Sequence, residues 1–250
     1  MTEAKQKLSP EGMSPAQEKL AGMFYDRKTV APVNRRRTLP NGGFEFYKVD
    51  REMSIIDFPV TDEEFAIKKH DTDPGAPLSP IYINIRNLPE DVLEQYGVVT
   101  SEIMTTDKPD YCAGIPNAGI PLAKAYSNHS GIPVVEIFQK EEANDGSGKR
   151  RIVAGEQDFT GRKLRMVDDL ATGGDTKLEA AKAAEAMGFE VTDIVVLVDR
   201  LQGAKEQLAE AGYTLRAAFT IKQLLDFGLR TGRLTTDRYE HIVDYLGLNN

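Results

Sequence analysis

The sequence predicts an α/β fold, a doubly wound and mostly parallel sheet, from two strand–loop–helix–strand units and one continuous apolar run. In the first unit the apolar stretch Tyr111 to Ala113 leads into the loop Gly114-Ile115-Pro116-Asn117-Ala118-Gly119 and a helix from about Ile120 to Asn128. Gly131-Ile132-Pro133 then introduces a strand from Val134 to Phe138. In the second unit a strand Leu164 to Val167 precedes an acidic, glycine-containing loop, and a helix Leu178 to Met187 is stopped by Gly188. Ile194 to Val198 runs apolar without alternation, as a strand buried on both faces does. Strands alternating with helices at this spacing imply right-handed crossovers and an open sheet.

The remaining segments are read in order. Residues 1 to about 15 are charged and contain Ser9-Pro10 and Ser14-Pro15, which favour turns or disorder. A helix is expected from Pro15 to Phe24. Arg35-Arg36-Arg37 reads as a solvated charge run, with contact to a phosphate as the alternative, and Pro40-Asn41-Gly42-Gly43 reads as a turn. Residues 44 to 78 give no clear pattern, whereas Ile81, Ile83 and Ile85 alternate with Tyr82, Asn84 and Arg86 as in a half-buried strand. Residues 140–155 are polar and punctuated by glycine, too long for a tight turn, and read as a mobile loop or flexible hairpin. After Tyr213 helices are expected, the last from Tyr239 to Leu246. The expected division is an N-terminal extension over 1–60 and a main domain over 61–250.

Composition narrows the function classes. The length of 250 residues with 40% apolar content suits one domain with embellishments. A formal charge of −8 argues against nucleic acid or an anionic membrane surface as the main partner. The single cysteine, Cys112, rules out a disulfide framework within the chain and a cysteine-based zinc site, and its apolar neighbours make it a buried structural thiol. No apolar stretch approaches the roughly 18 residues that span a bilayer, and the polar N-terminus does not read as a signal peptide, so a cytoplasmic protein is expected.

The loop Asp168-Asp169-Leu170-Ala171-Thr172-Gly173-Gly174-Asp175-Thr176 carries the chemistry. It lies at the carboxyl end of a strand, where ligands bind in open α/β sheets, and opens into a helix N-terminus. Gly173 and Gly174 are expected to take conformations closed to other residues, so that successive N–H groups converge on one anion. Thr176 with Glu179 fits a capping box, and Thr172 and Thr176 offer hydroxyl donors to a phosphate monoester. Two carboxylates beside an anion site would repel the ligand unless they serve its hydroxyls, and a phosphorylated ribose satisfies both halves. A nucleotide-binding P-loop and a dinucleotide fingerprint are both excluded by the missing Gly-Lys-Ser/Thr and G-x-G-x-x-G patterns.

An apolar strand, two acidic residues and a Thr/Gly loop resemble the signature of the type I phosphoribosyltransferases. Further segments look like the orotate phosphoribosyltransferases in particular: LSPIYINIRNLP, AGIPNAGIPLAKA, TKLEA after the acidic loop, VVLVDRLQG and AGYTLRAAFTIKQLLD, covering roughly residues 65 to 246. The resemblance implies a small hood subdomain, a homodimer, Mg²⁺ carried by the substrate pyrophosphate without a directly assigned protein ligand, and the substrates orotate and 5-phosphoribosyl-1-pyrophosphate. It implies that Asp168 and Asp169 hold the ribose hydroxyls and that Leu170, Ala171, Thr172, Gly173, Gly174, Asp175 and Thr176 bind the 5′-phosphate side. Asn117 and Ala118 fall in its pyrophosphate loop, Tyr82 and Ile83 in the segment that packs on orotate, and Thr172, Arg200 and Lys68 match further orotate contacts.

The departures fall on the mobile loop. Gln139, Ala143 and Asp145 stand where the family carries Arg, Lys and His, while Lys140 keeps one position. Ala118 replaces a frequent Lys, and Asp175 occupies a position usually uncharged. Lys149, Arg150 and Arg151 either restore the missing charge or form a solvated basic hairpin. Lys140 and Lys149 are therefore the candidate lid residues on pyrophosphate. Two alternatives stay open: a phosphoribosyltransferase for another base, and a regulator that binds phosphoribosyl pyrophosphate without turning it over.

Overall fold

The computed structural model describes residues 12–104, 108–142, 150–155 and 157–249. In chain order the elements begin with α1 (Pro15–Asp26), β1 (Lys28–Thr38), β2 (Phe44–Ser54), β3 (Ile56–Asp57), β4 (Tyr82–Ile83) and α2 (Glu90–Ile103). There follow β5 (Tyr111–Gly114), α3 (Gly119–Ser130), β6 (Phe138–Glu142), β7 (Arg150–Ala154), β8 (Lys163–Ala171) and α4 (Asp175–Ala186). The chain closes with β9 (Glu190–Asp199), α5 (Ala204–Glu210), β10 (Leu215–Thr220), α6 (Ile221–Arg230) and α7 (Thr236–Leu246). They form two compact units, one from 1–20 and 86–224, the other from 21–85 and 225–250.

The first unit contains the expected parallel sheet, in the order β10-β9-β8-β5. Alternation along β8 sends Leu164 and Met166 into an apolar core with Ala180, Ala181 and Ala184 of α4 and Leu208 of α5. Arg165 faces the other side, where its Nη1 donates to the Tyr126 hydroxyl of α3 at 2.6 Å. Its guanidinium grips Asp193 of β9 through two bonds, Nε to Oδ1 at 2.7 Å and Nη2 to Oδ2 at 2.9 Å. Arg216 of β10 reaches the same carboxylate at 3.0 Å, so a charged ladder crosses three strands. Cys112 on β5 is fully buried, and burial pushes its thiol up to about 12.

Several sequence expectations are corrected here. Val134 to Ile137 forms no strand: its contact with the sheet is one parallel bridge, in which the Cys112 N–H donates to the Pro133 carbonyl and the Val135 N–H to the Cys112 carbonyl, both at 2.9 Å, and a paired strand begins only at Phe138. Leu215–Thr220 is a strand although a helix was expected there; packed beside β9, its Leu-Arg-Ala-Ala stretch follows the sheet rather than its own helical propensity. The segment 140–155 begins and ends as paired strands, with Phe138 opposite Ala154 and Lys140 opposite Ile152. Lys149, Ala143 and Asp145 lie outside the described residues.

The second unit is a long antiparallel hairpin, β1 with β2, joined by the pair β3–β4. Val33, Met53 and Phe65 form its core beneath Ala31 and Tyr82. The Ile81–Ile85 alternation yields only the two paired residues Tyr82 and Ile83, while Ile81 and Ile85 are buried. Of the basic triplet only Arg37 is exposed as a solvated run would be. Arg35 pairs with the buried Glu64 at 2.5 Å, Arg36 donates to the carbonyls of Pro74 and Ala76, and Arg37 pairs with Glu45 at 2.6 Å. Tyr25 and Phe227, 6.4 Å apart, and the Arg233–Asp26 pair at 2.7 Å join the C-terminal residues to this unit. By contact, residues 21–85 share one compact body with 225–250.

Asp193 is fully buried and carries two guanidinium partners. Replacing it by Ala leaves Arg165 buried without its counter-charge, and urea unfolding is expected to show a loss of about 3–5 kcal/mol.

Candidate active site

The site is assembled at the carboxyl ends of β5 and β8. The Ile115 N–H donates to the Val167 carbonyl at 2.8 Å, tying the loop after β5 to the strand that leads into the acidic pair. Gly119 makes this approach possible, since a Cβ there would lie 2.2 Å from the same carbonyl oxygen. A Cβ on Gly114 would in turn meet the Gly119 carbonyl oxygen at 2.4 Å. The loop is thus wrapped closely enough that only glycine fits at both ends. Between them Asn117 is exposed and Ala118 half-buried, which leaves the loop's face accessible.

The acidic residues are not in a loop. β8 continues to Ala171, with Asp168 in register with Val196 and Ala171 with Asp199. Asp168 is buried, and its Oδ2 accepts from the Lys177 ammonium at 2.8 Å. The same ammonium donates to the Leu170 carbonyl at 2.7 Å. Asp169 is half-buried; burial, then the charge of Asp168 and a hydrogen bond to it, raises its carboxyl to about 6.

α4 starts earlier than its capping-box pattern suggests. Its N-cap is Gly174 rather than Thr176, and no side chain caps it. The reason is Gln207 of α5, whose Oε1 accepts the Gly174 N–H at 2.6 Å and whose Nε2 donates to Asp175 Oδ1 at 2.6 Å. Neither Gly173 nor Gly174 has the left-handed backbone that the sequence reading gave them; Gly174 sits at φ −90°. Gly174 is needed for room instead, because a Cβ would come within 3.0 Å of Gln207 Oε1. Thr172, Gly173 and Thr176 are exposed around the helix start, where the first amides have no intrahelical partner. The exposed start of α4 thus follows directly on the strand that carries the two carboxylates.

Arg200 leaves β9 beside this loop, its N–H bonded to the Ala171 carbonyl at 2.9 Å. The buried Asp199 turns the chain there by accepting the Leu201 N–H at 2.9 Å. In the second unit Tyr82 stacks on Phe65, centroids 5.2 Å apart, with Ile83 beside it in β4, and Lys68 opens a 3-10 turn. Lys140 is exposed on β6. Sequence reasoning missed Lys177 and Gln207. TKLEA placed Lys177 in the first helical turn, where a lysine usually faces solvent, and nothing in the sequence ties Gln207 to a residue 33 positions earlier.

Residues 94–217 match the model of the phosphoribosyl transferase domain family. An orotate phosphoribosyltransferase of Methanopyrus kandleri is 40% identical over 126 residues, 50% of this chain and 65% of the relative. That of Saccharolobus solfataricus is 32% identical over 174 residues, 69% of this chain and 86% of the relative. Among solved structures, the UMP synthase of Leishmania donovani superimposes with a TM-score of 0.65 at 25% identity, covering 93% of this chain and 42% of that one.

Gly119→Ala is expected to destabilise the protein by about 1–3 kcal/mol in urea, since its new methyl meets backbone. At Gly173 a Cβ would have 3.7 Å to its nearest neighbour, so Gly173→Ala should stay within about 0.5 kcal/mol of the parent.

Proposed function

Because the chain belongs to the orotate phosphoribosyltransferase family, we propose that it moves the phosphoribosyl group of 5-phosphoribosyl-1-pyrophosphate onto orotate, releasing orotidine 5′-monophosphate and pyrophosphate. The observation that carries this reading is the run from Asp168 through α4, with the Ile115–Gly119 loop tied beside it. Asp168 and Asp169 accept the ribose hydroxyls. The Thr172 and Thr176 hydroxyls and the amides from Ala171 to Thr176, apart from the Gly174 N–H held by Gln207, take the 5′-phosphate, and Asn117 and Ala118 take the pyrophosphate side. Arg200 pairs with the orotate carboxylate, for which its planar fork is suited, and Thr172, Tyr82, Ile83 and Lys68 keep the orotate roles that the resemblance gives them.

The bond from C1 of ribose to pyrophosphate oxygen breaks as the bond to the nitrogen of anionic orotate forms. Orientation and support of developing charge are thus the protein's tasks, with little proton transfer. Among the described residues no group of three or more His, Cys, Asp or Glu is arranged to hold a metal ion. On the family resemblance Mg²⁺ enters with the pyrophosphate, as this ion commonly binds through substrate phosphates. When bound, it would neutralise charge on the leaving group. Lys140, with Lys149 or Arg150, is assigned to the departing pyrophosphate. A homodimer, on the resemblance alone, and a cytoplasmic location, on the polar N-terminus and the lack of a long apolar stretch, complete the proposal.

Mixing the protein with orotate, phosphoribosyl pyrophosphate and Mg²⁺ should deplete orotate absorbance; binding without turnover would leave a regulator instead. In that assay Arg200→Lys is expected to raise the KM for orotate by about 10-fold or more through loss of the bidentate fork. Full kcat in both Lys140→Ala and Lys149→Ala would remove the lid assignment. Since the Asp169 carboxyl is raised to about 6, the acceptor form is lost as pH falls through that value. The profile of kcat/KM for phosphoribosyl pyrophosphate should therefore show an acid limb near 6 that Asp169→Asn abolishes.

A further inference from the structure

Lys177 is the least expected group of the site. It lies in the first turn of α4, 3% exposed, where the helix dipole disfavours a cation and a hydrocarbon side chain would fill the space without desolvating a charge. Its ammonium has two partners, Asp168 Oδ2 at 2.8 Å and the Leu170 carbonyl at 2.7 Å. Both belong to the stretch assigned to the phosphoribosyl group. Asp169 on β8 also lies within the field of Lys177, and Tyr96 of α2 within that of Asp168. The ligand proposed for this ground is itself a polyanion. The chain carries Ala118 in the pyrophosphate loop and Gln139 on β6, so neither of those positions offers a cation.

We infer that Lys177 is a positioning residue of the phosphoribosyl site: from beneath β8 it supplies the counter-charge of the Asp168–Asp169 pair and fixes Asp168 for the ribose hydroxyls. The inference rests on the transferase reading above. With the ammonium in place the acidic pair presents one net negative charge to the incoming phosphates rather than two. The bond to Leu170 ties the strand end to the helix start, so the carboxylates and the phosphate amides keep one spacing. Lys177 touches neither substrate nor reacting atoms in this role.

The test is Lys177→Met, which keeps length and burial and removes the charge, with folding checked by circular dichroism and thermal melting. The KM for phosphoribosyl pyrophosphate should rise about 10- to 100-fold, the effect of losing a charge-assisted hydrogen bond, with kcat and the KM for orotate far less affected. The acid limb of kcat/KM for phosphoribosyl pyrophosphate should move to higher pH, because Asp169 then faces an uncompensated Asp168, and Lys177→Arg should move it back toward the parent. A folded Lys177→Met protein with parental KM and an unmoved limb would show Lys177 to be packing alone and overturn the inference. Should Lys177→Met fail to fold, Lys177→Arg decides: charge retained with parental affinity upholds the role, and a more than tenfold loss in a folded protein overturns it. Turnover by the parent, measured first, separates this outcome from a failure of the transferase reading.

Discussion

One carbonyl oxygen, that of Val167, organises the site. It accepts the Ile115 N–H at 2.8 Å and has the Gly119 backbone pressed against it where any Cβ would lie 2.2 Å away. A parallel sheet brings strand ends to one edge but does not decide how loops lean over that edge. Here the loop after β5 is folded back onto the last apolar residue before the acidic pair. Beside it Asp168 is bonded to Lys177, and the Arg200 N–H to the Ala171 carbonyl. Phosphate-binding amides and hydroxyl-binding carboxylates can share one ligand only if this lean is held to within a fraction of an ångström.

Much of the sheet was readable because its signal is local. The apolar runs at Leu164 and Ile194 could only be buried strands, and their spacing by a helix made them parallel. Leu215–Thr220 was unreadable for the converse reason, since Leu, Arg and Ala favour helix and only the neighbour β9 makes the segment a strand. Val134–Phe138 looked like a strand by composition, but one bridge to Cys112 is all the pairing it makes before β6 begins at Phe138. Within the site, the residues adjacent in sequence were legible as a motif. The contacts made by Lys177 and Gln207 were not, because both depend on where α4 and α5 come to rest.

The site balances opposite demands with few groups. An anion cradle works by unpaired amides, yet Asp168, Asp169 and Asp175 stand within or beside it. Each is held by a different device. Asp168 has an ammonium, Asp169 is partly desolvated with its carboxyl raised to about 6, and Asp175 is held by the Gln207 carboxamide. The glycines serve the same economy of space: Gly174 leaves room for the Gln207 side chain rather than bending the backbone.

Cys112 is fully buried on β5, with its Sγ 3.8 Å from the carbonyls of Ala123 and Ile132. A thiol pushed up to about 12 is almost wholly un-ionised at neutral pH, and the thiolate is the form that alkylating reagents and peroxide attack. This thiol therefore resists maleimides and peroxide in the native state. It also offers a silent background for spectroscopy: a cysteine introduced at an exposed position, such as Lys140 on β6, becomes the one site that takes a fluorophore or spin label.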